Sequence, residues 1–141
     1  MTRLNWAIGL AAGLLVGVDI VAQARGAQAR MLLSQAVPPL DGNKLTARLV
    51  EVTYPPGGRS TPHRHPCAVI GYVVSGAMRM GFEGKPDSVY KRGDTFFERP
   101  NDLHRASANA SDTEPATFIV NFLCDRETPL TVPDSSHKQD R

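Results

Sequence analysis

Beyond its first thirty residues the chain alternates short apolar runs with turn-forming clusters. LTARLVEVTY gives way to PPGGRSTP, and then come AVIGYVVSG, AMRMGFEG, KPDSVYKRGD, TFFERPND, LHRASANASD and ATFIVNFL. The apolar runs are rich in β-branched and aromatic residues, recur about every ten residues and are divided by Gly, Pro, Asn and Asp, which predicts an all-β domain. Within the runs the period is two: Val50, Val52 and Tyr54 alternate with Leu49, Glu51 and Thr53, and Phe118, Val120 and Phe122 with Thr117, Ile119 and Asn121. Each pattern describes a half-buried strand. No helical period of useful length and no internal repeat accompanies them. A small barrel is the expected architecture, because closure removes exposed edges and leaves room for side chains and one small ligand.

The first residues follow a different grammar. MTR is basic, LNWAIGLAAGLLVGV is apolar, and small residues surround Ala22-Gln23-Ala24 and Ala27-Gln28-Ala29. This is the pattern of a secretory signal, assigned to residues 1–24 with cleavage before Arg25. The apolar run is shorter than the roughly 20 residues of a membrane span and Asp19 closes it, so no stable membrane anchor is expected. A periplasmic or secreted product follows. The domain itself is placed at 31–125, with 126–141 as a polar C-terminal tail.

Composition adds little beyond this. The 141 residues include 12 Gly and 11 Pro and carry a formal net charge of +2, which suits one turn-rich domain and gives no basic face for nucleic acid. An oxidising compartment would permit its two cysteines, Cys67 and Cys124, to pair. A disulfide also requires their Cα atoms to come close, which sequence does not fix, so the pairing stays open, with a disulfide less favoured than a buried unpaired thiol.

The candidate chemistry lies in histidines. His63 and His65 stand at i and i+2, a spacing that projects both imidazoles from one face of an extended strand. His104 is the third interior histidine, and His137 falls in the tail. Three imidazoles suit zinc, iron, nickel or copper and leave positions open for substrate. Taken alone the pair is a weak signal and reads more readily as solvated surface histidines. Context favours the metal, since the pair follows a Gly/Pro turn, precedes an apolar strand and is answered by a histidine after a Gly-Asp turn and strand.

PGGRSTPHRHPCAVIGYVVSG resembles the first cupin motif, G-x5-H-x-H-x(3,4)-E-x6-G, with Gly57, His63, His65 and Gly76 in register. GDTFFERPNDLHRASAN resembles the second, G-x5-P-x-G-x2-H-x3-N, with Gly93 and His104 in register. The resemblance implies a single-domain jelly-roll β-barrel of six to eight strands with a metal inside. Four positions depart from it. Val69 stands where the family places its carboxylate ligand, Arg99 stands where the second motif has proline with Pro100 beside it, Asn101 replaces the turn glycine, and Ala108 holds the motif's asparagine position with Asn109 next to it. Asparagine tolerates the left-handed conformation, so that turn survives.

Without a carboxylate, three neutral histidines leave a divalent ion with about two net charges where the family pattern leaves about one. An anionic small-molecule ligand would balance it. Cys67 is a weaker candidate ligand, because 63, 65, 67 and 69 share a face in strand register. Glu98 reads as a solvated strand-end glutamate that would act as ligand or general base if it turned inward. Tyr72 is a further weak catalytic candidate, and Arg79 and Asn121 are candidate pocket groups; Met78, Met80, Phe82, Phe96 and Phe97 read as packing residues.

With the N-terminal signal pattern, the resemblance therefore implies an exported cupin that holds a divalent metal through His63, His65 and His104. Fe(II) is the first candidate, with zinc, manganese or nickel as alternatives. Some three-histidine members of the family are oxygen-dependent dioxygenases, which implies an oxygenase-like enzyme acting on a small enol, phenol or thiol. A Lewis-acid isomerase or hydrolase shares the same features. Two non-catalytic readings stand beside these: a periplasmic binding module for metal or a small anion, and a metal that merely staples a small barrel. A homodimer is compatible with each.

Overall fold

The protein was analysed as a computed structural model that describes residues 30–135. The signal assigned to residues 1–24 and His137 lie outside them. Among the described residues nine strands follow in order: β1 Thr46–Tyr54, β2 His63–Arg64, β3 Ala68–Ser75, β4 Ala77–Phe82, β5 Ser88–Lys91, β6 Thr95–Glu98, β7 Leu103–Asn109, β8 Ala116–Cys124 and β9 Val132–Pro133. Among the described residues there is no helix, and so none long and apolar enough to cross a membrane.

The strands form two antiparallel sheets, ordered β1-β8-β3-β6 and β5-β4-β7-β2-β9. No strand of one sheet pairs with a strand of the other among the described residues, so the expected barrel is realised as two sheets around a shared core. Val69 and Val73 of β3 and Phe118, Val120 and Phe122 of β8 supply one wall of that core, and Met78 and Met80 of β4 supply the other. The period of two is kept: Val50, Val52 and Tyr54 pack on the core while Leu49 is 72% exposed.

Two turns show how local chemistry sets this frame. Gly76 joins β3 to β4 at φ 70°, where a Cβ would meet the Pro115 carbonyl oxygen at 2.5 Å. Asn101 takes φ 66° between β6 and β7, the conformation expected of the residue that replaces glycine there.

The sequence expectations need two corrections. Cys67 and Cys124 form a disulfide, with Cα atoms 4.9 Å apart, the outcome the sequence had left open and less favoured. The cause is strand register: Ala68 lies opposite Leu123 between β3 and β8, which brings the preceding and following residues face to face. The segment after 125 is also more than a tail. Val132 and Pro133 pair with Arg64 and His63, and the Asp134 amide donates to the Pro62 carbonyl at 3.0 Å.

Candidate metal centre

His63, in β2, lies directly opposite His104 of β7, so two histidines distant in sequence meet through sheet pairing. His65 follows β2 and turns to the same point. The three rings lie 4.8 to 5.4 Å apart between centroids, with His63 and His104 stacked at 15°. His63 and His104 are buried, and His65 is nearly so.

The backbone fixes which nitrogen each of the first two rings presents. His63 Nδ1 donates to the Thr61 carbonyl at 2.7 Å, and His65 Nδ1 donates to the Leu130 carbonyl at 2.6 Å. A carbonyl only accepts, so in each neutral ring the proton sits on Nδ1 and Nε2 carries a lone pair. Those two Nε2 atoms face each other at 3.2 Å. Two lone pairs at that distance repel unless a proton or a cation lies between them. Donors about 2.1 Å from one ion, at tetrahedral to octahedral angles, stand roughly 3.0 to 3.4 Å apart.

Burial holds the His63 imidazole below its ordinary pKa; the Thr61 carbonyl opposes this, repulsion from His65 and His104 reinforces it, and Glu98 opposes it. The ring is therefore neutral at neutral pH, the form a metal binds.

Glu98 overturns the expectation of a solvated glutamate. Its side chain is 4% exposed, and Oε2 stands 2.9 Å from His104 Nε2 and 3.6 Å from His65 Nε2. His65, Glu98 and His104 offer ligand atoms that all lie within 4.8 Å of one another. The approach to His104 lacks the alignment of a hydrogen bond, and Glu98 Oε2 and both nitrogens of His104 are buried without a hydrogen-bond partner. Orphaned buried polar atoms of this kind cost about 1–3 kcal/mol each, and more when charged. A cation among them removes that cost, so this donor set fits a divalent metal.

A buried carboxylate thus stands one strand across from the position that Val69 fills. Glu98 is the antiparallel partner of Val69, and opposed residues project to the same face of the sheet. Val69 is fully buried in the core and Glu98 occupies the adjoining place beside the histidines. The first expectation, an ion surrounded only by neutral ligands, therefore loses its premise. One signal in the sequence pointed here: Glu98 shares its face with Phe96, which is 3% exposed, so assigning Phe96 to the core carries Glu98 inward with it. The carbonyls of Thr61 and Leu130 had no such signal.

The other candidates fall elsewhere. The Cys67 sulfur is bonded to Cys124 and is not a thiolate. Tyr72 is 36% exposed and borders a surface groove with Asn121 on the outer side of the β1-β8-β3-β6 sheet, because it alternates with the inward Val69, Gly71 and Val73. Arg79 is exposed on β4. Asn109 is buried and its amide donates to the carbonyls of Tyr54, Pro55 and Glu114, while Oδ1 accepts from the Ser111 amide. A bulge explains the one-residue offset from Ala108. Gly81 pairs with Ala106 but Phe82 with His104, so β7 carries an extra residue between them.

The cluster closes one part of a cavity of about 280 Å³ between the sheets. Val50, Val52, Met80, Phe118, Val120 and Phe122 contribute apolar walls. Besides the cluster, its polar side chains are the hydroxyls of Tyr54, Ser60, Thr61, Ser107 and Thr131.

The family model described as Cupin domain matches residues 50–122. No match was found among curated proteins. Among solved structures, the DMSP lyase DddQ from Ruegeria pomeroyi is similar with a TM-score of 0.57 at 24% identity, over 66% of this chain and 45% of that one. The chain thus spans a little under half of that lyase's length. A recombinant oxalate oxidase in complex with glycolate gives a TM-score of 0.53 at 21% identity, over 76% and 65%. The polyketide cyclase RemF from Streptomyces resistomycificus gives 0.53 at 21%, over 69% and 66%. At these identities the likeness is one of fold.

Proposed function

The chain belongs to the cupin family, and on that premise we propose that it is an exported, metal-dependent enzyme of oxygenase-like chemistry acting on a small organic molecule. His63, His65 and His104 would hold a divalent ion, with Glu98 as the carboxylate that the first motif lacks. The observation that carries this is the facing pair of Nε2 lone pairs beside an orphaned carboxylate and an orphaned imidazole. Fe(II) is the first candidate because imidazoles with one carboxylate suit non-haem iron; zinc, manganese and nickel are the others. Such an ion would supply a Lewis-acidic centre with positions open to a substrate donor and, as Fe(II), access to oxygen chemistry.

The chain's own residues would do the rest. The Thr61 and Leu130 carbonyls keep two rings aimed and hold their protons on Nδ1. The apolar walls exclude water and seat the substrate. The neighbouring folds belong to a lyase, an oxidase and a cyclase, each named for a small substrate or product, which agrees with a small ligand here. Periplasmic or secreted location rests on the N-terminal pattern together with the disulfide, a bond at home in oxidising compartments.

A second reading has its own support. Glu98 is the only carboxylate lining the cavity among the described residues, and with it committed to metal no general base remains beyond Tyr54. That weakens an isomerase or hydrolase and leaves a non-catalytic metal or small-molecule binding module as the alternative. Elemental analysis of protein purified from its own compartment, then anaerobic Fe(II) loading and oxygen-uptake assays on thiols, diketones and flavonols, separates the two. Substrate-dependent uptake supports the enzyme. Full iron occupancy with no uptake across the panel supports the binding module.

A further inference from the structure

Charge and polarity are unevenly placed along the cavity. All of its ionisable groups other than Tyr54 sit in the His/Glu cluster, and no lysine or arginine lines it among the described residues. The other polar landmark is a pair of hydroxyls, Tyr54 OH and Ser107 Oγ, 3.3 Å apart. Ser107 faces the cavity although it lies three residues after His104, because the extra residue of the β7 bulge restores the inward face. Ser107 opposes Met80 in the sheet, and His104 opposes Phe82, so the two polar points sit at successive levels of the sandwich. Extended chain over that step covers on the order of 7–10 Å.

Two hydroxyls that share one hydrogen bond keep one donor hydrogen and several lone pairs uncommitted. They can meet a carbonyl or a hydroxyl. They cannot balance a second anion, which would be desolvated with no cation opposite it. Between the two points the walls are mainly apolar, and Ser60, whose Oγ lies 3.4 Å from His63 Nδ1 and donates to the Ser107 carbonyl at 3.5 Å, adds a single hydroxyl there. Benzene fills an apolar cavity of about 150 Å³, so about 280 Å³ accommodates one substituted ring or a small bicycle.

We propose that the cavity takes a compact, largely apolar molecule with one acidic metal-binding group at the His/Glu cluster and one neutral carbonyl or hydroxyl read by Tyr54 and Ser107, and that it rejects dicarboxylates. This deepens the metal-dependent reading and rests on it.

The test uses protein loaded with Co(II), whose occupancy is measured by elemental analysis before any ligand is added. 4-Hydroxybenzoate, benzoate and terephthalate are then titrated by calorimetry and followed in the visible cobalt bands. The three share a ring and a carboxylate and differ only at the far end. 4-Hydroxybenzoate should bind several-fold to tenfold more tightly than benzoate, and terephthalate at least tenfold more weakly than benzoate. Tyr54→Phe and Ser107→Ala, each compared at full cobalt occupancy, should shrink the preference for 4-hydroxybenzoate over benzoate to within about twofold. Terephthalate binding as well as 4-hydroxybenzoate, a preference that survives both substitutions, or full cobalt occupancy with no probe bound would each overturn the proposal. Failure to take up cobalt would instead overturn the metal-site reading beneath it.

Discussion

The two halves of the candidate metal centre are held in place by different means. His63 and His65 come from one short segment, and each has a ring nitrogen tied to a backbone carbonyl. Glu98 and His104 come from β6 and β7, and Glu98 Oε2 with both imidazole nitrogens of His104 has no hydrogen-bond partner. The first half is oriented by the backbone. The second is held by packing, with Phe82 against the His104 ring at 4.3 Å between centroids. A bound cation therefore has most to offer the second half, where buried polar atoms lack any other compensation.

The sharpest way to break this contrast is to remove the uncompensated half. Glu98→Ala and His104→Ala should each weaken metal binding by more than about 100-fold, since losing a mere outer partner of a ligand already costs about 10- to 100-fold. Competition against a chelator measures this. Glu98→Met should also raise the melting temperature of the metal-free protein by about 4 °C or more, because an apolar side chain replaces a buried carboxylate without a partner. Melting at or below the wild-type temperature would mean that the carboxylate is already satisfied without metal.

The transposition of the carboxylate makes the next prediction. Val69→Glu combined with Glu98→Val should recover metal affinity to within about tenfold of wild type, whereas Glu98→Val alone stays low. A double variant no better than the single one would show that the donor must stand on β6.

Two smaller effects concern the backbone-oriented half. Cys67 begins two residues after His65 and ties that segment to the end of β8. Replacing both cysteines by serine should cost about 2–5 kcal/mol in denaturant unfolding. It should change the affinity of the folded protein for metal less than loss of Glu98 does. Ending the chain after Asp125 removes the Leu130 carbonyl that orients His65. Metal binding should then fall about 10- to 100-fold, with His63 still held by Thr61. Unchanged affinity would show that the Leu130 contact orients nothing that matters.

Strand existence was legible in the sequence, because apolar residues recur at every second position in β1 and β8 and turn residues divide the runs. His63, His65 and His104 were legible as candidates from their spacing and from the order of two motifs. The left-handed turn at Asn101 was legible too, from the residue type that tolerates it. Glu98 was not, since a glutamate at a strand end is solvated by default and only the packing of Phe96 reveals that its face is the inner one.

By itself the sequence determined where the strands lie, which side chains share a face within each strand, and which imidazoles stand close along the chain. Tertiary structure alone decided that Glu98 lies opposite Val69, that Cys67 meets Cys124, that a bulge restores Ser107 to the cavity, and that the Leu130 carbonyl reaches His65. The reason is physical: the alternation of side chains is a local property of extended backbone, whereas register between strands and the path of the loops are set by the packing of whole faces, and one residue of slip would turn Glu98, Cys124 and Ser107 away.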